Sequence, residues 1–263
     1  MRVLPQIAIV AALAGGSAFA DDWSKTFAIA GRPELRVETD DGSVTIRPGE
    51  ERNIFAHVTT FGWKIAPGEV QIRESQSGDR VELVVRIPHR PFVFSSNGRS
   101  IHVDLRVPRK IHSDVRTGDG SIDIEGLDGE TRLRTGDGRI QVASLGGSLS
   151  AESGDGNMRV RGRLDVLTLH TGDGSIDADV LPGSIMSASW RVETGDGSVT
   201  MRLPRNFGAE LDLHTGDGHI SVDLPASSGI SGRHEKELNA RLNGGGKALS
   251  IRTGDGSIRI ASL

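Results

Sequence analysis

Apolar and polar residues alternate in short bursts along this chain, and the bursts come in pairs around one recurring corner, as in "VRTGDGSIDI" from Val115 and "LRTGDGRIQV" from Leu133. The central aspartates of these corners are Asp41, Asp119, Asp137, Asp155, Asp173, Asp196, Asp217 and Asp255. Four positions before them stand Val37, Val115, Leu133, Ala151, Leu169, Val192, Leu213 and Ile251, all apolar, each followed by a polar residue. Three positions after them stand Val44, Ile122, Ile140, Met158, Ile176, Val199, Ile220 and Ile258, and two further on comes another apolar row from Ile46 to Ile260. Period-two alternation rich in β-branched residues, on both sides of a glycine-rich corner, predicts strand, turn, strand.

The spacing predicts how these units assemble. Asp119 to Asp173 advance in steps of 18 residues; the later steps are 23, 21 and 38, the last read as about two periods, and Asp41 to Asp79 is again 38. A fixed period near 20 residues marks a stacked repeat. An antiparallel meander is the competing reading, because Asp-Gly suits a primed hairpin turn. Like residues at equivalent sites, such as Thr117, Thr135, Ser153 and Thr171, favour stacking of successive coils, where like sits on like about 4.8 Å apart. The expectation is an all-β, single-stranded parallel β-helix (β-solenoid) of about 18–21 residues per coil, right-handed by the general crossover preference.

In such a coil the aspartates are expected to bond their own turn backbone, with glycines supplying unusual dihedrals. A ladder of carboxylates repels itself, and Arg116, Arg134 and Arg252 stand close enough in sequence to relieve it. A calcium-stabilised β-roll also has an 18-residue coil, but two residues beyond Gly120, where a ligand carboxylate belongs, stands Ile122, and every other copy is apolar there too. Asp119, Asp137, Asp155 and Asp173 could instead form the carboxylate cluster of a parallel β-helix polysaccharide lyase or hydrolase. Sugar enzymes present aromatic platforms, however, and the body offers only Trp63 and Trp190, the latter on an inward site.

Composition narrows the setting. Arg2, an apolar run from Val3 to Leu13 and the small-residue stretch ending at Ala20 predict a signal peptide, residues 1–20, cleaved after Ala20, and hence a periplasmic or extracellular protein. No later stretch is apolar enough to span a membrane. The chain has no cysteine, which excludes disulfides, thiolate catalysis and zinc-thiolate sites. A net charge of −4 with interspersed signs argues against nucleic acid as a partner. The eight histidines have no metal spacing: "HEKEL" from His234 lacks a second histidine, and His170 and His214 occupy outward strand sites. "GDGS" lacks the lysine of a phosphate loop, and Ser228 and Ser231 have no legible histidine-aspartate partners.

The repeated T-G-D-G-[SR]-[IV] rungs, "LRVPRK" before "SDVRTGDG", its echo "MRLPRNFGAELDLHTGDG" and the closing "LNGGGKALSIRTGDGSIRI" carry a resemblance. They are similar to the bacterial adhesin-like β-strand-repeat domains of unknown function, related to auto-transporter adhesin head domains. The resemblance runs from Phe27 to Leu263, with Thr60 to Arg99 departing from the rung pattern. It implies an exported single-stranded parallel β-helix with no established catalytic activity and no catalytic residues to carry over.

Three insertions break the pattern: "TFGWKIAPG" from Thr60, "HRPFVFSSNGRS" from His89 and "ASSGISGRHEKELNARLNGGGK" from Ala226. Phe61, Trp63, Phe92 and Phe94 in the first two read as a cap over the N-terminal end of the core, or else as a partner surface. The chain stops at Leu263 directly after a rung, which predicts, unless the Ala226 insertion folds over it, an open C-terminal coil edge available for self-association. The sequence thus predicts irregular coils over 27–110 and regular ones over 111–263 within one repeat domain, 21–263. It predicts a non-enzymatic, envelope-associated scaffold or adhesin-like binding module whose ligand is an envelope polysaccharide or protein. No catalytic, cofactor-binding or metal-binding residue is assigned.

Overall fold

A computed structural model of the chain describes residues 20–87, 98–224 and 232–263, with the side chains of Arg233 and His234 left out. All of the segment expected to be a signal peptide except Ala20, as well as Phe92, Phe94, Ser228 and Ser231, therefore lies outside the described residues. Among the described residues twenty-one strands, numbered in chain order, form one sheet folded into two layers around a continuous aliphatic core. Among the described residues none is helical.

The leading layer holds the strands that run into the corners. In spatial order these are β5 (Gln71–Ser77), β6 (Arg80–Arg86), β2 (Glu34–Thr39), β8 (His112–Thr117) and β10 (Asp128–Thr135). Then come the second halves of β11 (Ile140–Ser153) and β12 (Met158–Thr171), followed by β14 (Trp190–Thr194), β20 (Ala248–Thr253), β16 (Ala209–Thr215) and β19 (Glu237–Leu242).

The trailing layer holds the strands that leave the corners. It begins with β1 (Ala20–Ala28), β4 (Asn53–Phe61), β7 (Ser100–Val107), β3 (Ser43–Pro48) and β9 (Ile122–Glu125). It continues through the first halves of β11 and β12 to β13 (Ile176–Val180), β15 (Val199–Leu203), β21 (Ile258–Ser262), β17 (Ile220–Asp223) and β18 (Gly232–His234). β11 and β12 bend from one layer into the other without a break, with register shifts at Ala143/Leu145 and Gly147/Ser148 where Ser144 takes φ 57°.

The alternation read from sequence is the alternation of burial. Val37, Val115, Leu169, Ile122, Ile140, Ile176 and their equivalents are buried, and equivalent residues pair in parallel: Leu133 with Val115, Ala151 with Leu133, Leu169 with Ala151.

The single-stranded parallel β-helix is nonetheless the wrong fold. The sheet is mixed: β1 with β4, β4 with β7, β5 with β6, β16 with β19 and β17 with β18 all pair antiparallel. Nor does spatial order follow chain order. β7 fills the place between β3 and β4, β2 lies between β6 and β8, β20 lies between β14 and β16, and β21 lies between β15 and β17. The result is a barrel-like sheet, nearly closed on itself. The physical reason lies in the 38-residue intervals, which are not two stacked coils. β18 and β19 add outer antiparallel strands beyond β17 and β16 before β20 returns to an inner place, and Asp79 sits in the turn between β5 and β6, accepting a bond from Ala30 N at 2.7 Å. Periodicity fixes neighbours only where rungs follow one another directly.

The ends follow from this topology. At the N-terminal end β1 and β5 approach each other, joined by Lys25 Nζ to Glu74 at 2.8 Å and by Gln76 Nε2 to Ala28 O at 2.7 Å. Trp23, Trp63 and Ile72 pack half-buried against the core there. At the other end the chain terminus is not an edge, since β21 is paired on both sides; the outer strands are β18 and β19. The expected open edge after the last rung is therefore absent, because the last rung is inserted between earlier ones.

Candidate functional site

Each corner is built from three residues with three separate tasks. The threonine, or Ser153, points inward and is buried; at the first corner Thr39 accepts from Gly42 N at 3.2 Å, and at every later corner the hydroxyl donates to the carbonyl of the second glycine in the adjacent rung. This bond runs from Thr117 to Gly42 (2.9 Å), Thr135 to Gly120 (2.9 Å), Ser153 to Gly138 (3.1 Å), Thr171 to Gly156 (3.0 Å) and Thr194 to Gly174 (2.7 Å). It continues from Thr253 to Gly197 (2.7 Å) and Thr215 to Gly256 (2.6 Å). In several rungs the same oxygen accepts from its own corner, as from Gly138 N to Thr135 at 3.2 Å. The threonine thus satisfies a buried carbonyl of one rung and an amide of its own.

The glycines are there for closeness, not for dihedral freedom. None of the corner glycines lies in the left-handed region. A Cβ on Gly120, Gly138, Gly156, Gly174, Gly197, Gly256 or Gly218 would instead meet the carbonyl oxygen of the equivalent glycine one rung away, well under 3.0 Å. The expected role of unusual dihedrals is corrected accordingly.

The aspartates serve the turn least. All eight are exposed, and no turn amide bonds to a corner carboxylate among the described residues; the one partner found there is Lys236, 3.4 Å from Asp217. The expectation that they bond their own backbone fails because the threonine hydroxyl already holds that amide. The expected relief by arginine fails as well. Arg116 pairs with Asp114 (3.2 Å), Arg134 with Glu152 (3.0 Å) and Arg252 with Asp212 (2.7 Å), all on the outer strand faces. Asp119, Asp137, Asp155 and Asp173 stand in one row but meet no acid-base partner, and among the described residues no group of three or more His, Asp or Glu could hold a metal ion. At the calcium-ligand position Ile122 is buried in the core.

Beside the carboxylate row runs a second polar row, two residues further along each corner, that sequence reading missed. It ends at both sides in a serine-histidine pair: Ser43 Oγ lies 2.6 Å from His102 Nδ1, and Ser257 Oγ lies 3.0 Å from His219 Nδ1. These pairs join residues 59 and 38 apart in sequence, so only the strand order reveals them. Another ion cluster near the first corner surrounds Arg86, whose pKa is raised by Asp40 (2.7 Å) and then by Glu38 (2.5 Å).

The aromatic residues divide. Trp190 is buried, donates Nε1 to Asp165 O at 3.1 Å and lies 5.3 Å from the Phe207 ring. Trp63 is half-buried with the Arg99 guanidinium 4.4 Å over its ring, while Phe61 is 51% and Phe55 37% exposed on β4. His170 and His214 face outward, near Glu193 (4.0 Å) and Glu237 (3.2 Å).

Residues 109–261, more than half the chain and all of the eight aspartate corners but the one at Asp41, match the profile of a family. The chain belongs to the Toastrack DUF4097 family. No curated protein matches it. Solved structures similar to this Toastrack chain include a candidate cell adhesion protein from Clostridium sporogenes, 17% identical, covering 92% of this chain and 100% of that one, with TM-score 0.45. A candidate adhesin from Bacteroides fragilis is 12% identical, covering 91% and 97%, with TM-score 0.43. A candidate lipid-binding protein from Parabacteroides distasonis is 10% identical, covering 91% and 96%, with TM-score 0.43. No helix of this Toastrack chain is long and apolar enough to cross a membrane, among the described residues.

Proposed function

We propose that this protein is an exported, non-enzymatic binding module of the cell envelope, adhesin-like in use, whose ligand is an envelope polysaccharide or protein. Residues 1–20 act as the signal peptide and 21–263 as the working domain. Cleavage after Ala20 shortens the edge strand β1 by one residue and leaves Asp21, which accepts a hydrogen bond from Ile65 N at 2.9 Å.

The observation that carries this reading is the division of labour at the corners. Threonine and glycine hold the frame, and the carboxylates are left displayed in a row about 4.8 Å apart along one edge. A side chain repeated at fixed spacing on a frame that does not need it suits a ligand that is itself extended and repetitive. The test is retention of the full-length protein on purified envelope fractions, against a variant carrying D137N, D155N and D173N. Weaker retention at an unchanged melting temperature is expected. Equal retention by both proteins, or release of reducing sugar from the polysaccharide fraction, would overturn the reading.

A further inference from the structure

We propose that the last rung, β20 with β21, is an exchangeable insert, and that its slot fits the same rung of a second copy of this chain. The slot is walled by β14 and β15 on one side and by β16 and β17 on the other, all earlier in the chain. Everything that holds the rung is made with those walls. Leu249, Ile251, Ile258 and Ile260 are fully buried. Thr253 donates to Gly197 O (2.7 Å), Gly254 N to Gly195 O (2.6 Å), Thr215 to Gly256 O (2.6 Å) and Asp217 N to Gly254 O (2.8 Å). None of these bonds involves the segment that delivers the rung, so a rung from another copy reproduces each of them.

The delivering segment is the weak point. Leu242 lies beside Ala209 on one side of β16, and Ala248 lies beside Glu210 on the other, so residues 243–247 must cross the end of β16. They do so with φ of 48°, 84°, 90° and 158° at Asn243, Gly244, Gly245 and Gly246. The crossing is close at its second half: a Cβ at Gly245 would collide with Glu210 Oε1, and one at Gly246 would press on Gly208 O, while Gly244 faces open space. Closed and exchanged forms share every rung contact and differ in this crossing and in the entropy of association, the condition under which segment exchange between copies is cheap.

The test uses the absence of native cysteine. Asp212 and Ser250 are partners across the β16–β20 boundary, with Ser250 Oγ 3.3 Å from Asp212 Oδ2. Full-length D212C and S250C chains are unfolded, refolded together at high concentration and treated with a short thiol-to-thiol cross-linker; the same two chains refolded apart and then mixed are the comparison. Cross-linked pairs from co-refolding and none from mixing are expected. The proposal is overturned by monomers alone, provided D212C/S250C in one chain cross-links internally, and equally by pairs formed alike in both samples, which would be surface collision. A second variant, with Gly245 and Gly246 deleted, is expected to shift from monomer to dimer in light scattering. If that variant fails to fold, co-refolding still decides.

Discussion

The corner assigns separate work to residues that look interchangeable in a repeat. Gly138→Ala puts a methyl against the Gly120 carbonyl, in a ladder with no slack, and should cost about 3 kcal/mol, read as a lower denaturation midpoint. Thr135→Val keeps the shape but removes the hydroxyl between Gly120 O and Gly138 N, and should cost about 1–3 kcal/mol; Thr135→Ser should restore most of it, as the natural Ser153 rung does. Asp137→Asn should behave in the opposite way. Its neighbours Asp119 and Asp155 repel it by about 1 kcal/mol each in water at strand spacing, so the melting temperature should rise slightly at low salt and the gain should vanish at high salt. A fall in melting temperature would mean that the carboxylate holds the turn after all.

At the scale of the element, the strands were legible and their order was not. Inward rows such as Val115, Leu133 and Ala151 announce themselves, because burial of every second side chain leaves a period-two trace in the sequence. Strand order leaves no such trace where an interval holds added outer strands: the 38 residues from Asp217 to Asp255 contain β18 and β19, whose sequences "GRH" and "ELNARL" carry no rung motif. The threonine bonds could be guessed from like residues at like sites, but the serine-histidine pairs at Ser43 and Ser257 depend wholly on which strands meet. Trp190 shows what was readable at one position: its inward parity predicted burial, and its indole bond to Asp165 O was beyond sequence. Trp190→Phe should keep the packing on Phe207, lose that bond and cost about 1–2 kcal/mol, measured by chemical denaturation.

For the molecule as a whole, stability rests on one core and one ladder of threonine hydroxyls, and the position where a calcium roll places its ligand carboxylate is filled by buried Ile122 and its apolar equivalents. Adding a chelator should therefore leave the melting temperature unchanged, whereas a calcium-stabilised roll would lose much of it. Both tips are finished by antiparallel strands, so the rungs they enclose are protected from pairing with foreign edges. The position of β21 also has a mechanical meaning. A load applied to Leu263 does not peel a terminal strand from a margin; it drags on the backbone bonds toward β15 and toward β17 together, so a tether attached there would grip the body of the protein and leave both tips unencumbered.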